Sequence, residues 1–191
     1  MTTTTQSSQL LTSVLQSVAD DRHVTVLDMG SALPETVAFF SGQRCTLHFA
    51  DLFAELPFVA AEEGPDIRTQ LAALLRFPAH TRFDICLFWD LFNYLDSDAI
   101  AALQSILQPH IHPGTRAYGF GVHNRRAGAS HHQYGILAAD TLQIRQRPAP
   151  LPGYAPLPQS QLQNLLSGFS FDRSVLLADS RLELLMSARR P

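Results

Sequence analysis

The chain has 191 residues, 46% of them hydrophobic and 16% charged, and a formal net charge of −3. This length is enough for one domain with a full hydrophobic core that needs no disulfide or metal, and the composition is ordinary for a soluble globular protein. The slightly negative charge argues against a dedicated nucleic-acid or anionic-membrane binder.

Cysteine usage and the N-terminus bear on the compartment. Cys45 and Cys86 lie inside apolar runs and are typical of reduced core residues in a cytosolic protein. The first residues lack the basic and apolar regions of a signal peptide. No run approaches the roughly 18 apolar residues of a membrane span. We therefore expect a soluble, cytoplasmic protein.

The N-terminal residues are expected to form a tail and a lead-in helix. Residues 1–7 are rich in threonine and serine and should be frayed. An amphipathic helix ending near Asp20 is predicted by apolar residues at helical spacing: Leu10, Leu11, Val14, Leu15 and Val18. Packing beside a sheet is the favoured role of this helix, and a position over a cofactor cleft is the alternative. We expect residues 1–22 to form this unit and residues 23–191 a single α/β domain.

Short apolar runs alternate with helical segments through the first two thirds of the chain. Strands are predicted over 24–27, 45–49, 83–89 and 115–122. Helices are predicted over 34–41 and 66–77, and a third helix is predicted to follow Asp96 or Ser97, either of which can cap it. This βαβαβαβ order implies a parallel sheet with right-handed crossovers.

The C-terminal part has a different pattern. A proline-rich loop from Arg147 to Pro158 precedes a helix predicted over 159–166. Two strands, over 169–178 and 181–187, are joined by a tight turn and predict an antiparallel hairpin. The sequence thus predicts a doubly wound, mostly parallel sheet closed by a C-terminal β-hairpin.

Several segments resemble the class I S-adenosylmethionine-dependent methyltransferases. VTVLDMGSA resembles the family's first motif, HFADLF the end of its second strand, FDICLFWDLFNYL its fourth strand, and LLSGFSFDRSVLLADSRLELLMSAR its terminal helix and hairpin. The resemblance implies a Rossmann-like fold, S-adenosylmethionine as the cofactor and a small-molecule methyl acceptor. One strand of the family's seven-stranded sheet, between Asp51 and Phe83, is expected to be shortened or missing.

The resemblance also implies which residues bind the cofactor: Asp28, Gly30, Ser31, Asp51, Trp89 and Asp90. Asp51 lies 23 residues after Asp28, and a carboxylate there suits hydrogen bonding to a ribose diol. A solvated loop residue or a cap is the alternative for Asp51. Ala32 and Pro34 stand where the family usually has glycine, so the motif is degenerate. Because proline fixes φ and lacks an N–H, this departure argues against tight cofactor binding.

The catalytic candidates are Asp90 and His123. Asp90 follows the fourth strand, at the crevice where substrate and cofactor would meet, and Asn93 and Tyr94 could line an acceptor pocket there. His123 directly follows the fifth strand and could act as a general base, since imidazole titrates near neutral pH. A plain loop position is the alternative for His123.

Other histidines and arginines carry weaker hypotheses. His110 and His112 lie in a proline-bounded turn, and His131 and His132 are expected in a loop. Neither pair has a third ligand at metal-binding spacing, so we expect no metal site. Four arginines could bind an anionic substrate or keep a loop soluble: Arg125, Arg126, Arg145 and Arg147.

Two functions stay open. The first is a small-molecule O- or C-methyltransferase. The second is a methyltransferase-fold protein that has lost catalysis and serves as a binding or scaffold partner, as a homodimer or with another protein. A dehydrogenase-like nucleotide binder comes third, because no complete G-x-G-x-x-G follows the first strand.

Overall fold

The computed structural model describes residues 3–16, 22–60, 62–124 and 128–189. Within these residues the strands are β1 (Thr3–Ser7), β2 (Val24–Asp28), β3 (Cys45–Phe49), β4 (Phe83–Trp89), β5 (Ile111–Val122), β6 (His132–Ala138), β7 (Thr141–Gln146), β8 (Phe169–Leu176) and β9 (Arg181–Ala188). The helices are α1 (Leu11–Leu15), α2 (Pro34–Ser41), α3 (Ile67–Leu74), α4 (Ser97–Leu107) and α5 (Gln159–Leu165).

Six strands form the main sheet, in the order β3-β2-β4-β5-β9-β8. The pairs from β3 to β5 are parallel, and β9 pairs antiparallel with both β5 and β8. The predicted fold class is therefore confirmed. The described residues between Asp51 and Phe83 contain a 3₁₀ turn (Leu52–Glu55) and α3 but no strand, so the family's middle strand is missing here.

Strand β4 lies inside the main sheet, with β2 on one side and β5 on the other. Its sequence, FDICLFW, suits this position because it is mostly apolar, and the strand is buried along its whole length. Helix α4 contributes a buried apolar stripe to the same hydrophobic core, and this stripe includes Ile100, Leu103 and Leu107. The Asp96 carboxylate caps α4 by accepting a 2.8 Å hydrogen bond from the Ala99 amide. Helix α2 begins at Pro34, as predicted.

Three strands form a second, antiparallel sheet in the order β1-β7-β6, which we call the small sheet. The expectation that the first seven residues are frayed is wrong for Thr3–Ser7, which pairs along its length with β7. The loop expected around His132 is also wrong, since β6 begins there. Alternating residues of β6 and β7 are buried, which explains both strands: Tyr134, Ile136, Leu142 and Ile144.

The N-terminal segment packs on the main sheet. Helix α1 contacts β5 and β9, and its apolar side chains are buried, so the expected packing role is confirmed for the described part; Val18 and Asp20 lie outside the described residues. The Ser8 hydroxyl hydrogen-bonds the buried Glu183 carboxylate, which also accepts a 2.5 Å bond from the Tyr118 hydroxyl. The division of the chain at residues 22 and 23 stays a prediction. Among the described helices, none is long and apolar enough to cross a membrane.

Candidate functional site

Three acidic residues lie at the carboxyl ends of adjacent strands. Asp28 ends β2, Asp51 comes two residues after β3, and Asp90 directly follows β4. Asp28 and Asp51 are close enough to interact electrostatically. Open α/β sheets bind ligands outside the carboxyl ends of their strands. The structure thus brings together three residues predicted for the cofactor site.

The Asp28 carboxylate is enclosed by its own turn and by Trp89. Its Oδ1 accepts a 2.8 Å hydrogen bond from the Gly30 amide and a 2.6 Å hydrogen bond from the indole Nε1 of Trp89. Trp89 adopts a φ of 53°, which is rare for a bulky side chain. The side chain of Trp89 is 1% exposed, so no solvent separates it from the turn.

Burial determines the charge state of Asp28. Desolvation raises the pKa of this carboxyl from 3.8 to about 7, and the hydrogen bonds from Trp89 and Gly30 only partly oppose that rise. The nearby Asp51 carboxylate raises the pKa further. Asp28 therefore titrates near neutral pH.

Tyr134 of the small sheet covers Trp89. The two rings stack with centroids 5.5 Å apart and planes 10° apart. The other face of Tyr134 stacks on Phe120 at 4.9 Å. The Tyr134 hydroxyl donates to Asp90 Oδ2 at 3.3 Å. One tyrosine from β6 thus covers the carboxyl ends of β4 and β5.

An ion pair clasps the small sheet to helix α2. The Arg145 guanidinium donates from Nε and Nη2 to the two Glu35 carboxylate oxygens at 3.0 and 2.6 Å. Weaker contacts flank this clasp: the Gln133 amide donates to Ser31 Oγ at 3.2 Å, and a β6 backbone N–H donates to a hydroxyl of α2. Bidentate arginine–carboxylate pairs are among the stronger polar contacts in proteins.

The arrangement around Gly30 does not fit S-adenosylmethionine. A Cβ atom at Gly30 would lie 3.2 Å from two atoms of the Trp89 indole, so the space that a glycine normally leaves for a cofactor is filled. Asp28 already accepts two hydrogen bonds there. Asp51 does fit a ligand, because its Oδ1 is buried without a hydrogen-bond partner.

Asp90 is buried and accepts a hydrogen bond from a residue that lines a small cavity. Burial raises its pKa to about 6, although the Arg147 and Arg181 guanidinium groups and the Tyr134 hydrogen bond lower it. The Ser130 hydroxyl donates to Asp90 Oδ2 at 3.3 Å and lines an adjoining cavity of about 220 Å³. Other walls of this cavity come from Asn93, His132, Tyr154 and Arg181.

Asn93 therefore lines a pocket, as predicted for the acceptor side. Its neighbour Tyr94 is buried and packs against Phe53 and Tyr154. Phe92 is a core residue that packs against Phe88. The predicted acceptor region is thus part pocket wall and part core.

The structure does not bring His123 to Asp90. His123 is exposed, and its backbone N–H donates to the Ser180 carbonyl at 3.1 Å. Its role as a general base stays a prediction. Arg125 and Arg126 lie outside the described residues, whereas Arg145 and Arg147 point to partners in and beside the crevice.

The paired histidines serve separate neighbours. His110 Nδ1 lies 3.0 Å from the Thr81 carbonyl, and His112 Nε2 lies 3.3 Å from Asp84. In the part of the chain that the structure describes, no group of three or more histidine, cysteine or acidic side chains could hold a metal ion.

Sequence reasoning missed Glu35 and Tyr134, two of the four side chains that close the crevice. For the other two, Arg145 and Arg147, it proposed only the binding of an anionic substrate or the solubility of a loop. The alternation of apolar residues in QYGILAADTLQIRQ, around a turn near Asp140, could have predicted a hairpin. No local pattern indicates that this hairpin lies over the turn after β2, because that contact joins residues about a hundred positions apart.

Solved structures similar to this chain are methyltransferases. The 1,6-didemethyltoxoflavin-N1-methyltransferase of Burkholderia thailandensis, with 1,6-didemethyltoxoflavin and S-adenosylhomocysteine bound, is 16% identical; the match covers 95% of this chain and 78% of that one, with a TM-score of 0.50. A TehB-like methyltransferase of Corynebacterium glutamicum is 12% identical over 94% and 87%, with a TM-score of 0.51. The glycopeptide N-methyltransferase MtfA is 15% identical over 96% and 97%, with a TM-score of 0.50.

No family model and no curated protein matches the chain. At identities of 12 to 16%, similarity to solved structures defines the architecture alone. The chain has the fold of the class I S-adenosylmethionine-dependent methyltransferases. This fold is supported by the strand order, by the antiparallel closing hairpin and by these three matches.

Proposed function

We propose that this chain is a methyltransferase-fold protein that does not transfer methyl groups and acts as a binding protein. The observation that carries the proposal is the position of the Trp89 indole, which packs on Gly30 and donates a 2.6 Å hydrogen bond to Asp28. Gly30 and Asp28 are the residues through which the resemblance implies cofactor binding.

Two further features support the proposal. Tyr134 stacks on Trp89, and Arg145 pairs with Glu35 of α2. Two layers of side chains, Trp89 and then Tyr134, therefore lie over the turn after β2. Ala32 and Pro34 stand where the resemblance implies glycines, which would let the backbone approach a cofactor. Sequence and geometry therefore point in the same direction.

Isothermal titration of the full chain with S-adenosylhomocysteine tests the proposal. We expect no saturable heat up to millimolar ligand, because Trp89 would have to leave a buried, hydrogen-bonded position before the ligand could reach Gly30. Saturable micromolar binding would contradict the proposal.

A small-molecule methyltransferase is the second candidate, favoured by one observation. Asp51 Oδ1 is buried without a donor, at the position predicted for a ribose contact. If the titration shows binding, the variant Asp51→Ala should weaken it markedly. Asp172→Ala, at a surface carboxylate of β8 bonded to Arg116, should leave it unchanged. That pair of results would establish this second candidate in place of the first.

A further inference from the structure

Strand β7 delivers Arg147 to the crevice. The Arg147 backbone N–H donates to the His131 carbonyl at 2.9 Å, and its Nε donates to the His132 carbonyl at 3.1 Å. The first bond fixes the backbone and the second holds the guanidinium itself, which lies over the Phe53 ring with its central carbon 4.5 Å from the ring centroid. This distance is typical of a cation–π contact.

The walls around this guanidinium carry acceptors that the chain does not satisfy. Asp51 Oδ1 and Asp90 Oδ1 are both buried and have no hydrogen-bond partner. Asp90 is 2% exposed. Because buried polar atoms in native proteins are nearly always bonded, two such carboxylate oxygens around one crevice indicate a place for a donor-rich group.

The carboxylates of the crevice favour a positively charged ligand. Both the Asp90 and the Asp51 carboxylates interact favourably with Arg147, while burial lowers the pKa of its guanidinium. Yet among the described residues Arg147 makes no direct ion pair with either carboxylate. The bonds to the His131 and His132 carbonyls thus hold the guanidinium short of the acceptors, and a cation without these bonds could approach them more closely.

We propose that this crevice is a binding site for a planar organic cation of the guanidinium type, and that the chain's own Arg147 occupies part of it. The inference rests on the proposed function, since it names the class of ligand that the binding protein takes. A guanidinium matches the site because one face can stack on Phe53 while its in-plane N–H groups reach Asp51 and Asp90. An incoming ligand of this class competes with Arg147.

Chemical rescue tests the site. The variant Arg147→Ala leaves empty the space over the Phe53 ring that the guanidinium occupies, which we call the seat. Ethylguanidinium should bind there and raise the midpoint of thermal unfolding by about 3 °C at roughly ten times its dissociation constant. The neutral isostere N-ethylurea should give no such rise. Wild type should respond much less to ethylguanidinium, because Arg147 competes for the seat. An equal response to both compounds, or no response of the variant, would overturn the proposal.

Two more variants keep the test decisive. If Arg147→Ala does not fold, Arg147→Gln keeps part of the side chain without the charge. Because glutamine is two atoms shorter than arginine, it leaves the space over Phe53 open and should show the same selective rescue. Arg116→Ala removes a guanidinium that pairs with Asp172 at 3.3 Å on the surface, and it should show no selective rescue; a selective rise there would overturn the claim of a specific site. None of these measurements uses S-adenosylhomocysteine, so the proposed function and this inference fail separately.

Discussion

Trp89 combines a strained backbone with a fully bonded polar group. A left-handed conformation costs a non-glycine residue roughly 1–2 kcal/mol, and its φ is 53°. The hydrogen bond from its indole to the buried Asp28 carboxylate and the stack on Tyr134 offset that strain. Strain of this kind persists only where the surroundings fix it. The left-handed conformation of Trp89, at the end of β4, is therefore held in place by its contacts with Asp28 and Tyr134.

Asp28 makes the stability of the protein depend on pH. Its folded-state pKa of about 7 lies above its ordinary value of 3.8, so between these values the folded state holds the proton more tightly. The free energy of unfolding therefore falls as pH rises from about 4 to 7, and above pH 7 the full penalty of a buried charge is present. Substitution by asparagine removes this titration.

We expect Asp28→Asn to gain about 2.5 kcal/mol in unfolding free energy, relative to wild type, between pH 5 and pH 8. The physical reason is that wild type must bury a charge at pH 8 and the amide need not. Urea denaturation at the two pH values measures the difference. Asp172→Asn, at a surface carboxylate, serves as the control and should show little change. A pH-independent difference for Asp28→Asn would contradict the prediction.

At the level of single residues, sequence could predict positions but not orientations. Asp28, Gly30, Asp51 and Asp90 lie at strand ends because apolar runs stop there, and the pattern shows this. The left-handed turn of Trp89 could not be predicted, since it depends on the missing Cβ of Gly30 and on the ring of a residue 45 positions later.

At the level of secondary-structure elements, the main feature of the small sheet is its close packing against helix α2. Gly135 of β6 lies against the Glu35 side chain, where a methyl group would overlap with it. Arg145 holds that side chain in place from the neighbouring strand, so Glu35 cannot move aside without losing its ion pair. The glycine is therefore required by the packing of the sheet on the helix.

Gly135→Ala should destabilise the protein by roughly 1–3 kcal/mol, the usual range for overpacking. It should also raise acrylamide quenching of Trp89, which is the only tryptophan of the chain and lies beneath the small sheet. Urea denaturation and fluorescence quenching give the two readouts. Gly128→Ala is the matched control, because a Cβ there would meet nothing within 4 Å. Equal behaviour of the two variants would disprove the packing argument.

Elements with strong local patterns could be predicted, and elements defined by distant partners could not. Helix α2 and strands β3 and β4 have the predicted bounds, because proline, glycine and long apolar runs mark their ends. Strand β1 contains only threonine, glutamine and serine in its five residues. It is a strand because β7 offers a free edge to it.

On the scale of the whole molecule, β1 couples the small sheet to the main sheet. The Gln6 side chain accepts a hydrogen bond from Arg181 of β9, while the backbone of β1 pairs with β7. Arg181 also donates to the Tyr134 hydroxyl at 3.2 Å. Both sheets are thus tied together through one arginine and one N-terminal strand.

Deleting residues 1–7 should uncouple the two sheets. In the full chain we expect urea transitions followed by Trp89 fluorescence and by far-ultraviolet circular dichroism to coincide, as in cooperative unfolding. In the shortened chain the fluorescence transition should occur at lower urea, because the small sheet has lost an edge strand and the Gln6 contact. Coincident transitions in the shortened chain would show that β1 contributes no coupling.

The pairing of Thr3 with Arg145 also determines when the small sheet can form during synthesis of the chain. During synthesis the segment that becomes β1 emerges before the strands of the main sheet, and its partner strand emerges only after most of that sheet has left the ribosome. Contacts between such distant residues form late, because closing long loops is entropically costly. The crevice at the ends of β2, β3 and β4 is therefore exposed on the nascent chain, and it closes only when β7 arrives with Arg145 and Arg147.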